Sequence, residues 1–122
     1  MKFKIFCTFI LLLFILGSCN NKQSDTLDSN LSSIEGMIAD KANNNQSLLV
    51  IPNINKSDIT NKDLNDLLNL AEQNNGIYFI VSNEEYEIYN IGDKVIVEYD
   101  LEGDVEESNP PIRSAVNIKS LN

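Results

Sequence analysis

The stretch "TNKDLNDLLNLAEQNNGIYFIVS", residues 60–82, holds the clearest helix signal in the chain, with a strand directly behind it. Leu64, Leu67, Leu68 and Ala71 fall at i, i+3, i+4 and i+7 and so share one apolar stripe. Thr60 reads as the helix N-cap, with Asp63 three residues later in an approximate capping box. Ile59 and Leu64 suit a hydrophobic staple across that cap, and Asn75-Gly76 supplies the stop, with Gly76 free to turn left-handed. The pattern predicts a helix over 61–74. "IYFIVS" (77–82) is a short, nearly continuous apolar run, suited to a strand buried on both faces.

Working outward, "SIEGMIADK", the turn Asn43-Asn44-Asn45 and "SLLVIPN" read as a strand pair, 34–41 and 47–52. On the other side, "EYEIYNI" (85–91) alternates like a half-buried strand. "KVIVEYD" (94–100) places Val95, Val97 and Tyr99 on one face and Lys94, Ile96 and Glu98 on the other. Pro110 and Pro111 force extended backbone, and "IRSAVNIKSL" (112–121) reads as one closing strand. Five or six short strands and one helix make a small, β-rich α+β domain over 33–122, with a partly closed barrel as the expected form.

The first residues differ in kind. Lys2 and Lys4 form a basic head, Ile5 to Leu16 is a twelve-residue apolar run broken only by Thr8, and Gly17 and Ser18 precede Cys19. That build is a secretory signal over 1–18, and it is well short of the about 20 apolar residues that span a bilayer. Leu16-Gly17-Ser18-Cys19 resembles the bacterial lipobox, which directs a diacylglyceryl group onto the cysteine and cleavage just before it. Cys7 lies in the leader, so cleavage leaves Cys19 with no partner for a disulfide; a thiol left over in an exported protein is accounted for by lipidation. Residues 19–32 are polar apart from Leu27 and Leu31 and read as a flexible spacer behind the anchor. Two acyl chains hold durably where one does not. The expected location is the extracytoplasmic face of a cell membrane, tethered through Cys19.

Charge and composition narrow the function. The chain carries nine basic and eighteen acidic residues, and loss of Lys2 and Lys4 leaves seven against eighteen, a net charge of −11. Such a balance argues against nucleic acid as a partner and against a surface lying on anionic lipid. Histidine is absent, which removes serine–histidine and cysteine–histidine catalysis and imidazole metal sites. The glycines are isolated, so no phosphate-cradling loop is present, and no cofactor is expected. No spacing singles out a carboxylate pair for acid–base work, so the chain reads as a non-catalytic binding module for an unknown envelope or protein ligand.

Acidic residues crowd the stretch from Glu84 to Glu107, ten of them against the single base Lys94. "DLEGDVEE" (100–107) sets Asp100, Glu102, Asp104 and Glu106 in alternation, the weak candidates for a calcium-type site. Gly103 falls fourth there, where a calcium-binding EF-hand loop wants glycine sixth, and a solvated turn is the simpler account. A metal-dependent or carboxylate enzyme of the cell envelope is therefore the alternative from another class, and an exclusion or immunity lipoprotein a third.

Beyond these readings, Glu35-Gly36, Ile91-Gly92-Asp93-Lys94-Val95 and the closing set Val105, Glu107-Ser108, Pro110, Ala115 and Ile118 form a recognisable series. With them the chain resembles the YobA-like lipoproteins of Bacillus and related Gram-positive bacteria, a family whose domain has no known function. Asn109 and Ile112 depart from the family pattern, which commonly has an aromatic and a polar residue there. The resemblance implies an OB-like small barrel outside the cytoplasmic membrane and no known activity. Within its signature, Glu107 and Ser108, with Pro110 beside them, are the residues to examine as a binding surface, because polar loop residues carry function more often than packed ones.

Overall fold

The computed structural model describes residues 30–121. Seven strands form one sheet: β1 Leu31–Ala42, β2 Ser47–Ile51, β3 Ile77–Ile80, β4 Lys94–Asp100, β5 Val105–Glu106, β6 Ile112–Ser114 and β7 Asn117–Ser120. The order across the sheet is β5-β6-β3-β2-β1-β4-β7. Every pairing is antiparallel except β3 with β6. Among the described residues three helices interrupt the strands: α1 Lys56–Ile59, α2 Leu64–Gln73 and α3 Asn83–Ile88. The α+β, β-rich class stands, with seven strands and three helices among the described residues in place of the expected five or six strands and one helix.

Both faces of the sheet are covered, and the long first strand shows how. Met37, Ile38 and Ala39 are all buried because their side chains alternate between faces. Met37 and Ala39 join Leu49, Ile51, Ile59, Leu67 and Ala71 under α2. Ile38 joins Leu48, Val50, Phe79, Val81, Val95, Val97 and Ile118 on the other face, where Tyr86 and Tyr89 pack. Of the predicted helical stripe, Leu67 and Ala71 make the buried contact, whereas Leu64 is 52% exposed.

The helix departs from prediction at both ends. Thr60 closes α1: its hydroxyl donates to the Lys56 carbonyl at 2.7 Å. The N-cap of α2 is Asp63, whose carboxylate accepts from the Asp66 amide at 2.9 Å. Both residues offer a capping oxygen, and the left-handed Asn61 (φ 60°) between them breaks the chain into two helical pieces. At the far end Asn75, not Gly76, takes the left-handed conformation (φ 59°). Gly76 is needed for space, since a Cβ there would sit 2.8 Å from that of Ala71.

Two further expectations are corrected. The alternating "EYEIYNI" forms α3 and its exit, not a strand, because Ser82 and Glu85 complete a capping box: the Ser82 hydroxyl accepts from the Glu85 amide and the Glu85 carboxylate from the Ser82 amide. Tyr86 and Tyr89, three apart on the resulting turn, then face the core. The closing "IRSAVNIKSL" is two strands, not one, placed at different ends of the sheet. Ala115 and Val116 join them: the Ala115 amide donates to the Ile80 carbonyl of β3 at 3.0 Å, and the Val116 amide to the Glu98 carbonyl of β4 at 2.8 Å.

Candidate functional site

The acidic turn follows from the end of β4. The Asp100 carbonyl accepts from the Gly103 amide at 3.1 Å, and its carboxylate accepts from the Glu102 amide at 2.9 Å. That carboxylate is therefore engaged in closing the turn, an aspartate-capped bend of the usual kind. Glu102 points to solvent, and Asp104 and Glu106 lie two apart on or beside β5, on one side of it. Among the described residues, no three acidic, cysteine or histidine side chains gather closely enough to hold a metal ion.

The segment after β5 is tied to the sheet. The Ser108 amide donates to the Glu106 carbonyl at 2.9 Å, and its hydroxyl to the Pro110 carbonyl at 2.8 Å. The Asn109–Pro110 bond is cis and Pro110 is buried, while the Pro111 carbonyl receives the Tyr78 amide at 3.0 Å. Glu107 and Ser108 remain exposed, with the Ser108 hydroxyl turned to shaping the link into β6. Asn109 and Pro111 meet the end of α2 at Asn75 and Gly76 around a shallow hollow of about 180 Å³.

A larger hollow, about 270 Å³, opens where β3, β5 and β6 run together. Ile80, Val105 and Ile112 supply its apolar lining and Asp104 and Glu106 its acids. Arg113 also borders it, but its guanidinium lies over the Tyr99 ring at 5.1 Å and donates to the Asp100 carbonyl at 3.4 Å. These lining residues come from three distant segments, and only the alternation Asp104-Val105-Glu106 hinted in the sequence that a strand passes there.

Across the sheet from this hollow runs the row Ile112–Tyr78–Leu49–Asp40. The Tyr78 hydroxyl reaches over Leu49 and donates to the Asp40 carboxylate at 2.7 Å. Burial first, then that hydrogen bond and the negative charge of Asp40, push the Tyr78 phenol above its usual range. The leader, Cys19 and the spacer up to residue 29 lie outside the described residues.

A family described as "Protein of unknown function (DUF3221)" matches residues 35–122. The crystal structure of a YobA protein from Bacillus subtilis is 24% identical, covering 77% of this chain and 98% of its own, with a TM-score of 0.55. The solution NMR structure of Bacillus subtilis YobA 21-120 is 21% identical, covering 77% of this chain and 84% of its own, with a TM-score of 0.58. At these identities the likeness is one of fold. No curated protein matches.

Proposed function

The chain belongs to the DUF3221 family of proteins of unknown function, and from that premise we propose that it is an extracytoplasmic lipoprotein, anchored by a diacylglyceryl group on Cys19 and acting as a non-catalytic interaction module for an envelope or protein ligand. The observation that carries this reading is Leu16-Gly17-Ser18-Cys19 behind a basic head and a twelve-residue apolar run. Cleavage before Cys19 gives a mature chain with one cysteine and no histidine, a poor supply of nucleophiles and proton carriers. No helix among the described residues is long and apolar enough to cross a membrane.

From Cys19 to the start of β1 at Leu31 the chain can reach at most about 40 Å when drawn out, at about 3.3–3.6 Å per residue. The module thus works within a few nanometres of the bilayer. Its form in this reading is a partly closed, OB-like barrel. Two adjacent amides, those of Ala115 and Val116, bond to β3 and β4, which stand three places apart in the sheet; such bonding supports a strongly curled sheet. α3 with Tyr86 and Tyr89 then fills the opening.

The test is membrane fractionation of the natural host. The unaltered protein is expected in the membrane fraction and released by detergent, not by high salt. Cys19→Ala is expected to leave the uncleaved precursor, since lipidation precedes cleavage in this pathway. A Cys19→Ala protein processed and retained like the unaltered one contradicts the proposal.

A further inference from the structure

We propose that the β5–β6 end of the sheet docks an extended, cationic segment of a protein partner, received as an added strand. This rests on the reading of the domain as an interaction module and names the class of partner that module takes.

The first ground is the direction of the backbone groups. At the two ends of β6, the flanking Pro111 carbonyl and Ala115 amide face β3, where they bond to Tyr78 and Ile80. By alternation the amide groups of Ile112 and Ser114 face β5. Ile112 pairs with Glu106, so Glu106 turns its amide toward β6 and Val105 turns its N–H and carbonyl outward. β5 is the terminal strand of the sheet on this side, and among the described residues no strand pairs with its outer edge. Open ladder groups of this kind are a template for a further strand.

The second ground is the surface beside that edge. Ile80 and Val105 are each 37% exposed, and with Ile112 they line a hollow of about 270 Å³. Alternate apolar side chains of an incoming strand would sit there, which sets register as well as affinity. The third ground is charge. Glu102, Asp104, Glu106 and Glu107 are all exposed around this end. Arg113, the nearby base, is held on Tyr99 and the Asp100 carbonyl. Acidic segments and second copies of this strongly acidic chain are repelled here, and a segment alternating lysine or arginine with valine or isoleucine is complementary in both respects.

The test is fluorescence anisotropy of a labelled eight-residue alternating lysine–valine peptide, titrated with the full chain in nonionic detergent at low salt. The acidic counterpart, glutamate in place of lysine, is the control. Saturable binding of the cationic peptide alone is expected. The double variant Asp104→Asn, Glu106→Gln is expected to weaken it about tenfold, as loss of two complementary charges does. Val105→Pro removes the outward N–H while sparing the bonds to β6, and is expected to abolish binding with an unchanged melting temperature. Amide shifts on peptide addition are expected to cluster at Asp104–Glu106 and Ile112–Ser114. Binding that persists in both variants, or shifts centred on α3, overturns the docking edge while leaving an interaction module in place. No saturable binding overturns it as well. Because the titration needs no membrane, a failure of the Cys19 anchor is read separately, from fractionation.

Discussion

The rings of Phe79 on β3 and Tyr99 on β4 meet with centroids 5.5 Å apart and planes at 44°. Two strands, β2 and β1, lie between their own strands in the order of the sheet. Strands three places removed on a flat sheet would hold such rings well apart, since each step adds about 4.8 Å. The contact thus ties curvature to specific side chains. Tilted aromatic pairs add about 0.5–1.5 kcal/mol beyond their burial. A double-mutant cycle on Phe79→Leu and Tyr99→Leu, followed by urea unfolding, is expected to give a coupling of that size. Phe79→Ala alone, in a fully buried position, is expected to cost about 3–5 kcal/mol. A coupling near zero contradicts the contact.

The Tyr78–Asp40 bond predicts an alkaline weakness. The folded state raises the Tyr78 pKa, so the phenol stays protonated in the fold when the unfolded chain has begun to ionise near its ordinary value of about 10. Its contribution is whole below that pH and is lost as pH climbs above it. Tyr78→Phe is expected to lower stability at pH 7 by about 1–2 kcal/mol, because Asp40 loses a donor. The variant is also expected to flatten the decline above pH 10, read as urea midpoints against pH. An equally steep decline in Tyr78→Phe contradicts the assignment.

Helix caps give a third set of outcomes. Asp63→Ala and Ser82→Ala each remove a side-chain acceptor from an exposed helix start and are expected to cost about 1 kcal/mol. Thr60→Val, which loses a bond at the end of a single turn, is expected to cost less than either. A Thr60→Val loss larger than that of Asp63→Ala would restore Thr60 as the cap of α2.

Where sequence and structure agree, the signal is local. β2 and β4 carry alternation or continuous apolar runs between clear turns, and α2 carries its stripe. α3 was legible too: Ser82 and Glu85 are spaced as a capping box, and that signal outweighs the period-two pattern of "EYEIYNI". The split of the last segment was not legible. Ala115 and Val116 separate β6 from β7 only because their amides find carbonyls of Ile80 and Glu98, contacts far off in the chain. Asp100 and Gly103 announced a turn, which is present. The hollow beside it depends on Ile80, Val105 and Ile112 arriving from three segments, and no local pattern reports that.

The proposed lipid anchor is tested most directly by intact and N-terminal peptide mass spectrometry of the protein isolated from its natural host. The account predicts a chain beginning at Cys19 and carrying the added mass of a diacylglyceryl group on its sulfur. An N-terminus upstream of Cys19, or an unmodified thiol at that position, would contradict it.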